Sequence, residues 1–361
     1  MKKRGHLMKV IIAGAGLGGL TLAQGLRKAG IDVTVYERDG PHGRRQGISL
    51  HVDDRGRTAL RACLPPGHAA MAEATMGGPR EQAQVMSEVD GRLAVTGAGP
   101  RARPGRQAHR PLLREILLTG LDDVVHFDKE LTQFENREGG VRVHFADGTT
   151  DYADVLVGAD GVGSAVRRQR LPDVHVIDTG KRMLMGAAPL SAVESTGLPE
   201  LIGHNATSVQ VRGKTMALGL LRFTESPAAA RERWLPACAM TDVEDYLMWA
   251  IPTTQDRLGE AAAGLPPVLQ TVVDSAWPDT TVALRIGIIP PMPAWPPTPV
   301  TLLGDAIHLA PGFGGNLAMR DALHLRDALV RAERGEQELH TAIGDYEEAL
   351  RRTSFPEMAS A

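Results

Sequence analysis

Three glycines near the beginning of the chain have the spacing of a pyrophosphate-binding turn. Gly14, Gly16 and Gly19 follow the apolar run that starts at Val10, and a helical pattern follows them. In such a turn the first glycine permits a tight bend, the second lets backbone approach a pyrophosphate, and the third lets helix and strand touch. The helix start adds free N–H groups and positive dipole. The pattern alone is weak among 40 glycines, and a merely tight turn is the alternative, but its position between strand and helix predicts a dinucleotide site.

Acidic residues follow three of the predicted buried strands. Glu37, Asp160 and Asp305 each come at or just after the end of a short apolar run. Because parallel strands end along one edge of a sheet, beside the crevice where ligands bind, these carboxylates are expected near one ligand. Glu37 is placed to accept both ribose hydroxyls of an adenosine. A nicotinamide enzyme needs no acid-ended strand so late in the chain, whereas an extended FAD does. Singly, each Gly-Asp is more typical of a strand-end cap; together the three acids favour noncovalent FAD.

A glycine-rich loop follows the last of these acids. It contains the residues Pro311, Gly312, Phe313, Gly314 and Gly315. A helix is predicted to begin near Asn316, so backbone N–H groups and the helix dipole there can stabilise the negative charge of a reduced flavin. The alternative is that these glycines form only a flexible turn.

The elements that must position these residues alternate as in an α/β protein. Parallel strands are predicted at 10–14, 33–36, 155–157 and 300–303, with a helix over 20–28. Between them, 209–211 and 215–223 form a predicted hairpin, and 246–251 and 282–289 are further antiparallel strands. The sequence therefore predicts a Rossmann-like FAD-binding domain, interrupted by a mainly antiparallel β-sheet substrate domain. The expected bounds are 1–172 and 283–361 for the FAD-binding domain, including a C-terminal helix, and 173–282 for the substrate domain.

Composition narrows the class of partner. The chain has 361 residues, 43% of them hydrophobic and 23% charged, with a formal net charge of -3. No basic face for nucleic acid, no membrane-length apolar run and no secretion signal is apparent. The two cysteines make no disulfide framework and have no metal-ligand spacing. We expect a cytoplasmic monomer or homodimer that binds neither metal, membrane nor nucleic acid.

Found together and in this order, the motifs resemble those of the single-component FAD aromatic hydroxylases, which include tetracycline-modifying and polyketide-tailoring monooxygenases. The resemblance covers nearly the whole chain. Its anchors are the glycine fingerprint with Glu37, the stretch from Gly158 to Arg167, and Leu303-Gly-Asp-Ala-Ile-His308. It implies that Arg110 lies near the phosphates and ribityl chain, Asp160 beside the pyrophosphate, and Asp305 on the ribityl hydroxyls. Further cofactor contacts are assigned to Arg38, Arg45, Gly161, Pro311, Gly314, Gly315 and Asn316.

The resemblance also implies an activity. Such enzymes take electrons from NADPH or NADH and hydroxylate an electron-rich ring with O2, through a flavin C4a-hydroperoxide. FAD carries the chemistry, and the protein positions the aromatic or polyketide-like substrate. One departure is the loop after Pro311, which is about three residues shorter than is usual in relatives. With this shorter loop we still expect FAD binding, but the usual geometry at the flavin ring is no longer implied.

Substrate residues are expected in the middle region. Methionine suits an adaptable apolar cavity, although each residue singly is more typical of a core. The candidates are Met183, Met185, Met216, Phe223 and Met248. His204, Tyr246 and His308 are candidates for a substrate-activating base, although a residue of this kind is more commonly structural.

Two other functions are compatible with part of these motifs. Flavin-dependent halogenases share the fingerprint, and Trp249-Ala-Ile251-Pro252 resembles part of their tryptophan motif. However, Leu247 replaces the first tryptophan of that motif, and the lysine that those enzymes need has no counterpart between Lys28 and Lys129. The alternative that stays open is an FAD-binding protein of the same fold that acts as a non-oxygenating cyclase or scaffold.

Overall fold

The computed structural model describes residues 7–43, 46–80, 82–100, 103–254, 257–309 and 314–359. The strands within these ranges are β1 Lys9–Ala13, β2 Asp32–Tyr36, β3 Ser49–Asp53, β4 Met76–Arg80, β5 Ala83–Val89, β6 Arg92–Ala98, β7 Gly105–His109, β8 Val125–His126, β9 Leu131–Arg137, β10 Gly140–Phe145, β11 Thr150–Ala153, β12 Val155–Gly158, β13 Ile177–Pro189, β14 Ala206–Val211, β15 Lys214–Leu221, β16 Tyr246–Thr253, β17 Val282–Ile288 and β18 Val300–Leu302.

The helices surround these strands. They are α1 Leu17–Lys28, α2 Asp54–Cys63, α3 Pro66–Ala74, α4 Arg110–Leu118, α5 Ala165–Arg170, α6 Leu190–Val193, α7 Leu198–Ile202, α8 Pro227–Trp234, α9 Leu258–Ala262, α10 Pro267–Asp274, α11 Gly314–Glu333 and α12 Leu339–Ala359, with short 3-10 turns at Glu194–Thr196, Pro278–Thr280 and Gly304–Ala306. No described helix is long and apolar enough to cross a membrane.

A five-stranded parallel sheet forms the base of the fold, in the order β18-β12-β1-β2-β8. Its central strands are runs of Val, Ile and Leu with almost no exposed surface, as expected of a sheet covered on both faces. In the register, Ala13 pairs with Gly158, and Gly158 pairs with Leu302. Strands β1, β12 and β18 therefore end at the same edge, as the sequence predicted. The α/β fold class is confirmed.

A seven-stranded sheet, in the order β17-β13-β16-β15-β14-β5-β6, is mostly antiparallel. Successive side chains along each strand point to opposite faces of this sheet. One face presents Leu184, Met216 and Trp249 to a core shared with the short helices. The opposite face presents Met185 and Met248.

The strands of this sheet do not all lie within the bounds that the sequence predicted for the substrate domain. The strand pair over residues 83–98 belongs to it, because β5 pairs in parallel with β14, yet the expected bounds placed these residues in the FAD-binding domain. Strand β17 also crosses the expected limit at 282. The chain thus makes an early excursion into this sheet that the sequence patterns did not predict.

Two three-stranded sheets, β3-β7-β4 and β11-β10-β9, complete the fold. Strands β4 and β7 lie against β15, so the β3-β7-β4 sheet faces the seven-stranded sheet. The last helix packs back on the parallel sheet: Ile343, Tyr346 and Leu350 are buried in the same core as β1, and the Tyr346 hydroxyl donates to Leu302 O at 2.8 Å.

Candidate active site

A cleft of about 270 Å³ runs along the edge where the parallel strands end. Loops after β1, β2, β12 and β18 line it, together with the starts of α4 and α11. The predicted cofactor residues in its lining are Gly14, Gly16, Gly19, Glu37, Arg38, Arg110, Asp160, Gly161, Asp305, Gly314 and Gly315. The structure therefore brings these distant positions to one site.

The three fingerprint glycines have different local roles. Gly14 has φ +107°, and a Cβ there would lie 2.3 Å from Ala159 O. A Cβ on Gly19 would lie 2.1 Å from Gly14 O, so helix and loop touch there. Gly16 lies at the N-cap of α1, and apart from its chain neighbours no described residue has an atom within 4 Å of the position its Cβ would take. The first and third glycines serve packing, whereas the second leaves open space beside the helix start.

Glu37 supports the glycine-rich loop. Its Oε2 accepts from Ala15 N at 2.7 Å, and its Oε1 accepts from Asp39 N at 2.8 Å. Arg114 holds the same loop from α4 by donating through Nε to Ala15 O at 3.1 Å. Burial lowers the pKa of Arg114, and the Glu37 carboxylate opposes that shift. Arg38 lies beside them, exposed and 3.3 Å from Asp39.

Arg114 was not predicted as a site residue. The sequence feature that could have identified it is its position four residues after Arg110, which places both arginines on one face of α4. Arg110 itself begins that helix, and its backbone N–H donates to Ile48 O at 2.8 Å. Both arginines line the cleft, so α4 brings two positive charges to it.

Asp160 has one carboxylate oxygen occupied and one available. Oδ2 accepts from Ala165 N at 2.7 Å and from Val166 N at 3.3 Å, which fixes the start of α5. Oδ1 is buried and has no hydrogen-bond partner among the described residues. Burial raises the pKa of this carboxyl. A buried acceptor without a partner is uncommon in folded proteins and indicates a missing donor.

At the other end of the cleft, Asp305 lies beside the first turn of α11. A Cβ on Gly314 would be 2.6 Å from Asp305 Oδ1, so a larger residue there would displace the Asp305 carboxylate. Gly314 and Gly315 begin this 20-residue helix. Free N–H groups and the positive end of the helix dipole therefore face the cleft.

A buried ion pair fixes the turn that carries Asp305. His308 Nε2 lies 2.5 Å from Asp321 Oδ2, and the same oxygen accepts from Gly304 N at 3.0 Å. Burial lowers the pKa of His308, but the Asp321 carboxylate outweighs this effect and holds the pKa above its ordinary value. His308 is fully buried, so it supports the turn and is not placed to act as a base on substrate.

One predicted cofactor residue lies elsewhere. The Asn316 side chain is fully buried, accepts from Asp53 N at 3.0 Å and donates to His51 O at 2.7 Å. It fastens α11 to β3 and is not part of the cleft lining, so the side chain is not available to a cofactor, and the predicted contact of Asn316 remains a prediction for its backbone alone. Arg45, Pro311, Gly312 and Phe313 lie outside the described residues.

The predicted substrate residues divide between the faces of the seven-stranded sheet. Met183, Met185 and Met248 occupy the face opposite to Leu184 and point towards the β3-β7-β4 sheet. A Cβ on Gly47, which lines the cleft, would lie 2.8 Å from Met185 Sδ. Met216 has no exposed surface and points into the core on the other face. The prediction for Met216 was wrong, because side-chain alternation along β15 directs it away from the cleft.

A small buried cluster separates the two sheets near the cleft. Ile48, Ala187, Leu221 and Tyr246 form it, and Phe223 packs against its edge. The Tyr246 hydroxyl lies 3.4 Å from both His109 Nδ1 and Ser49 Oγ. Burial raises the pKa of Tyr246, so this residue is a hydrogen-bond donor at neutral pH. His204 is exposed and does not belong to the cluster.

An edge cleft with a glycine-rich loop and acid-ended strands defines the class as a dinucleotide-binding flavoprotein of α/β type. The family described as FAD binding domain matches residues 7–214. The crystal structure of a putative FAD containing monooxygenase from Photorhabdus luminescens has a TM-score of 0.80 at 29% identity, over 98% of this chain and 96% of that one. HpxO from Klebsiella pneumoniae, complexed with FAD and uric acid, has a TM-score of 0.75 at 26% identity, over 99% and 88%.

A curated relative points the same way. The dual O-methyltransferase/FAD-dependent monooxygenase CTB3 of Cercospora beticola is 30% identical over 95% of this chain. The chain spans 44% of that protein's length, less than half. The chain belongs to the FAD binding domain family, and the resemblance of its motifs to those of FAD-dependent monooxygenases is confirmed.

Proposed function

We propose that this chain is a monooxygenase that binds FAD noncovalently and uses NADPH or NADH with O2 to hydroxylate a small aromatic or polycyclic molecule. Family membership supports the class. The observation that carries the proposal is one cleft that combines the open approach at Gly16 with the unpartnered, buried Oδ1 of Asp160. Backbone groups and an available carboxylate acceptor along one edge fit an extended dinucleotide.

The residues that we assign to FAD follow the cleft from one end to the other. From the adenosine end to the ring end they are Glu37 and Arg38, then Gly14, Gly16, Gly19, Asp160 and Gly161, then Arg110, Arg114 and Asp305, and finally Gly314 and Gly315. Arg45 and the loop 311–313 are assigned by the resemblance alone.

The chain's own residues position and shield the reaction. FAD, when bound, would supply the redox chemistry that links the nicotinamide, O2 and an electron-rich ring. The first turn of α11 offers N–H groups and dipole to negative charge at the cleft. The cluster around Ile48 and Leu221 excludes water from the adjoining layer. Burial lowers the pKa of His109 to about 4, so it is neutral at pH 7 and can accept a hydrogen bond from Tyr246.

The purified protein is the test. We expect it to be yellow, to release FAD on heating or in acid, and to be reduced by NADPH or NADH without O2, faster when an accepted phenol is present. With O2, oxidised NAD(P)H, peroxide and hydroxylated product are quantified together. A colourless protein that takes up no added FAD would refute the proposal. Bound and reducible FAD with no product from any aromatic compound would favour the cyclase or scaffold alternative.

Replacing Asp305 tests the ring end of the assignment. A carboxylate that accepts hydrogen bonds from cofactor hydroxyls contributes about 1.5–3 kcal/mol, so Asp305→Ala is expected to weaken FAD binding by roughly tenfold to a hundredfold. Equilibrium dialysis of the apoprotein measures this. Asp327→Ala, on the outer surface of α11 where Asp327 pairs with Arg326, is the matched control and should retain full affinity. Unchanged affinity in Asp305→Ala would show that Asp305 serves only the turn.

A further inference from the structure

Three polar atoms without partners lie together on the β3-β7-β4 sheet. Among the described residues, His51 Nδ1, Gln107 Oε1 and Arg80 Nε are buried and make no hydrogen bond. His51 pairs directly with Gln107, and Arg80 pairs with Gly105, two residues before Gln107. The three side chains therefore point to the same face of the sheet. Unsatisfied buried groups are few in a folded protein, and three at neighbouring positions indicate an absent ligand.

Arg80 carries the charge of this cluster. Burial alone lowers its pKa to about 10, so it remains a cation at neutral pH, and no carboxylate of the described chain pairs with it. Neighbouring arginines differ: Arg106 lies 3.0 Å from Glu73, and Arg55 pairs with Asp53. A partly buried cation without a counter-ion is unfavourable, so Arg80 is suited to an anion that arrives from outside the chain.

The other two atoms are acceptors. His51 Nε2 lies 3.0 Å from Arg103 O, so that nitrogen carries the proton. Burial and the Arg80 charge lower the pKa of His51, which leaves Nδ1 as a bare acceptor. Gln107 donates through Nε2 to Ser49 Oγ, which leaves Oε1 as the second acceptor. A cation beside two acceptors complements an anionic oxygen adjacent to a hydroxyl or amino group.

Contacts connect this cluster to the cofactor cleft. A Cβ on Gly219 would lie 3.0 Å from Arg80 Nη2 and 3.2 Å from Met248 Cγ, so the guanidinium lies on the methionine-bearing face of the seven-stranded sheet. Met248 and Met185 are diagonal neighbours across β16 and β13. Met185 in turn reaches Gly47 at the cleft. An occupant of this layer would therefore have its anionic end at Arg80 and its apolar body against methionines.

We propose that Arg80, His51 and Gln107 recognise the substrate, an aromatic acid whose carboxylate binds Arg80 and whose adjacent hydroxyl or amino group donates to His51 or Gln107. The inference rests on the proposed function and assigns its substrate class. Arg80 determines specificity in this assignment, because a neutral ring would leave its charge unpaired.

Binding to the FAD-loaded enzyme tests this assignment without turnover. The probes are 2-hydroxybenzoate and its neutral amide, titrated by the change in flavin absorbance and by the shift in apparent Tm. We expect the acid to bind the native protein more tightly than the amide. Arg80→Met should lose roughly tenfold to a hundredfold in affinity for the acid and little for the amide. Its ligand-free Tm should not fall, because the unpaired cation is gone. Arg80→Lys, which keeps charge without the planar fork, should fall between the two.

The control is Arg92→Met, which removes an exposed arginine of β6 and should change neither affinity. Equal affinity of the native protein for acid and amide, or full retention of acid binding by both Arg80 variants, would overturn the assignment. Discrimination for the acid without any NAD(P)H-dependent product would leave the recognition site standing and remove the proposed monooxygenase activity. If the native protein and Arg80→Met both formed product equally from the acid and the amide, the monooxygenase activity would stand and the recognition site would be refuted.

Discussion

Gly14→Ala is expected to abolish FAD binding and to lower the stability of the apoprotein. At φ +107° a residue with a Cβ is strained, at a cost of order 1–3 kcal/mol. The methyl group would also lie 2.3 Å from Ala159 O, a backbone atom that cannot move aside without disturbing the edge of the parallel sheet. The apparent Tm of the apoprotein and the recovery of bound flavin measure the two effects.

Gly16→Ala is the matched variant, because it separates packing from ligand binding. Gly16 has φ -78°, which alanine adopts readily, and its Cβ position is more than 4 Å from every part of the described chain except its immediate neighbours. We expect the apoprotein to keep its Tm to within a few degrees, while FAD affinity falls by at least roughly tenfold, since the methyl group occupies the space reserved for the pyrophosphate. Full FAD affinity in Gly16→Ala would show that the pyrophosphate lies elsewhere.

Asp321→Ala is expected to be the second severe substitution. It leaves His308 buried without its partner and removes the acceptor of Gly304 N. Losing one member of a buried ion pair costs roughly 3–5 kcal/mol, measured as the free energy of unfolding in denaturant. Because the same carboxylate fixes the turn before Asp305, FAD affinity should fall as well. Stability equal to that of the native protein would contradict the role of this pair.

Asp321→Asn provides the control, with a pH dependence of known sign. The amide oxygen still accepts from Gly304 N, but the negative charge is gone. The folded pKa of His308 is raised, so the stability contributed by the pair is fully present below the ordinary histidine pKa of about 6.5. It is lost as pH rises through the folded pKa. The advantage of the native protein over Asp321→Asn should therefore be greatest near pH 6 and shrink at alkaline pH. An advantage that grows with pH would show that His308 is neutral.

The sequence predicted the cleft better than its surroundings, for a geometric reason. Parallel strands that neighbour one another end at one edge, so Gly14, Asp160 and Asp305 had to converge once their strands were recognised. No comparable rule located Asn316, whose side chain bonds to β3, 263 residues earlier in the chain. Nor could alternation alone say which face of its sheet Met216 occupies, because that depends on which strands pair and what covers each face.

The cluster of Arg80, His51 and Gln107 could not be predicted from the sequence either. Nothing in their local sequence resembles a motif, and each is an ordinary strand residue in isolation. They become a cluster only through the register of β3, β7 and β4, whose strands are separated along the chain by two helices and by the hairpin over residues 83–98. Only long-range pairing reveals the three atoms left without partners.

The parallel pairing of β5 with β14 bears on how this chain is made on the ribosome. Ala83 pairs with Ala206, so the β5-β6 hairpin emerges more than a hundred residues before its neighbour does. Until β14 is synthesised, β5 exposes an unpaired edge and Met86 lacks its core, a state that invites association between nascent chains. No single cut in the chain separates the two large sheets. Transplanting the seven-stranded sheet into another protein would therefore require two inserted segments, 83–98 and 177–288, and not one.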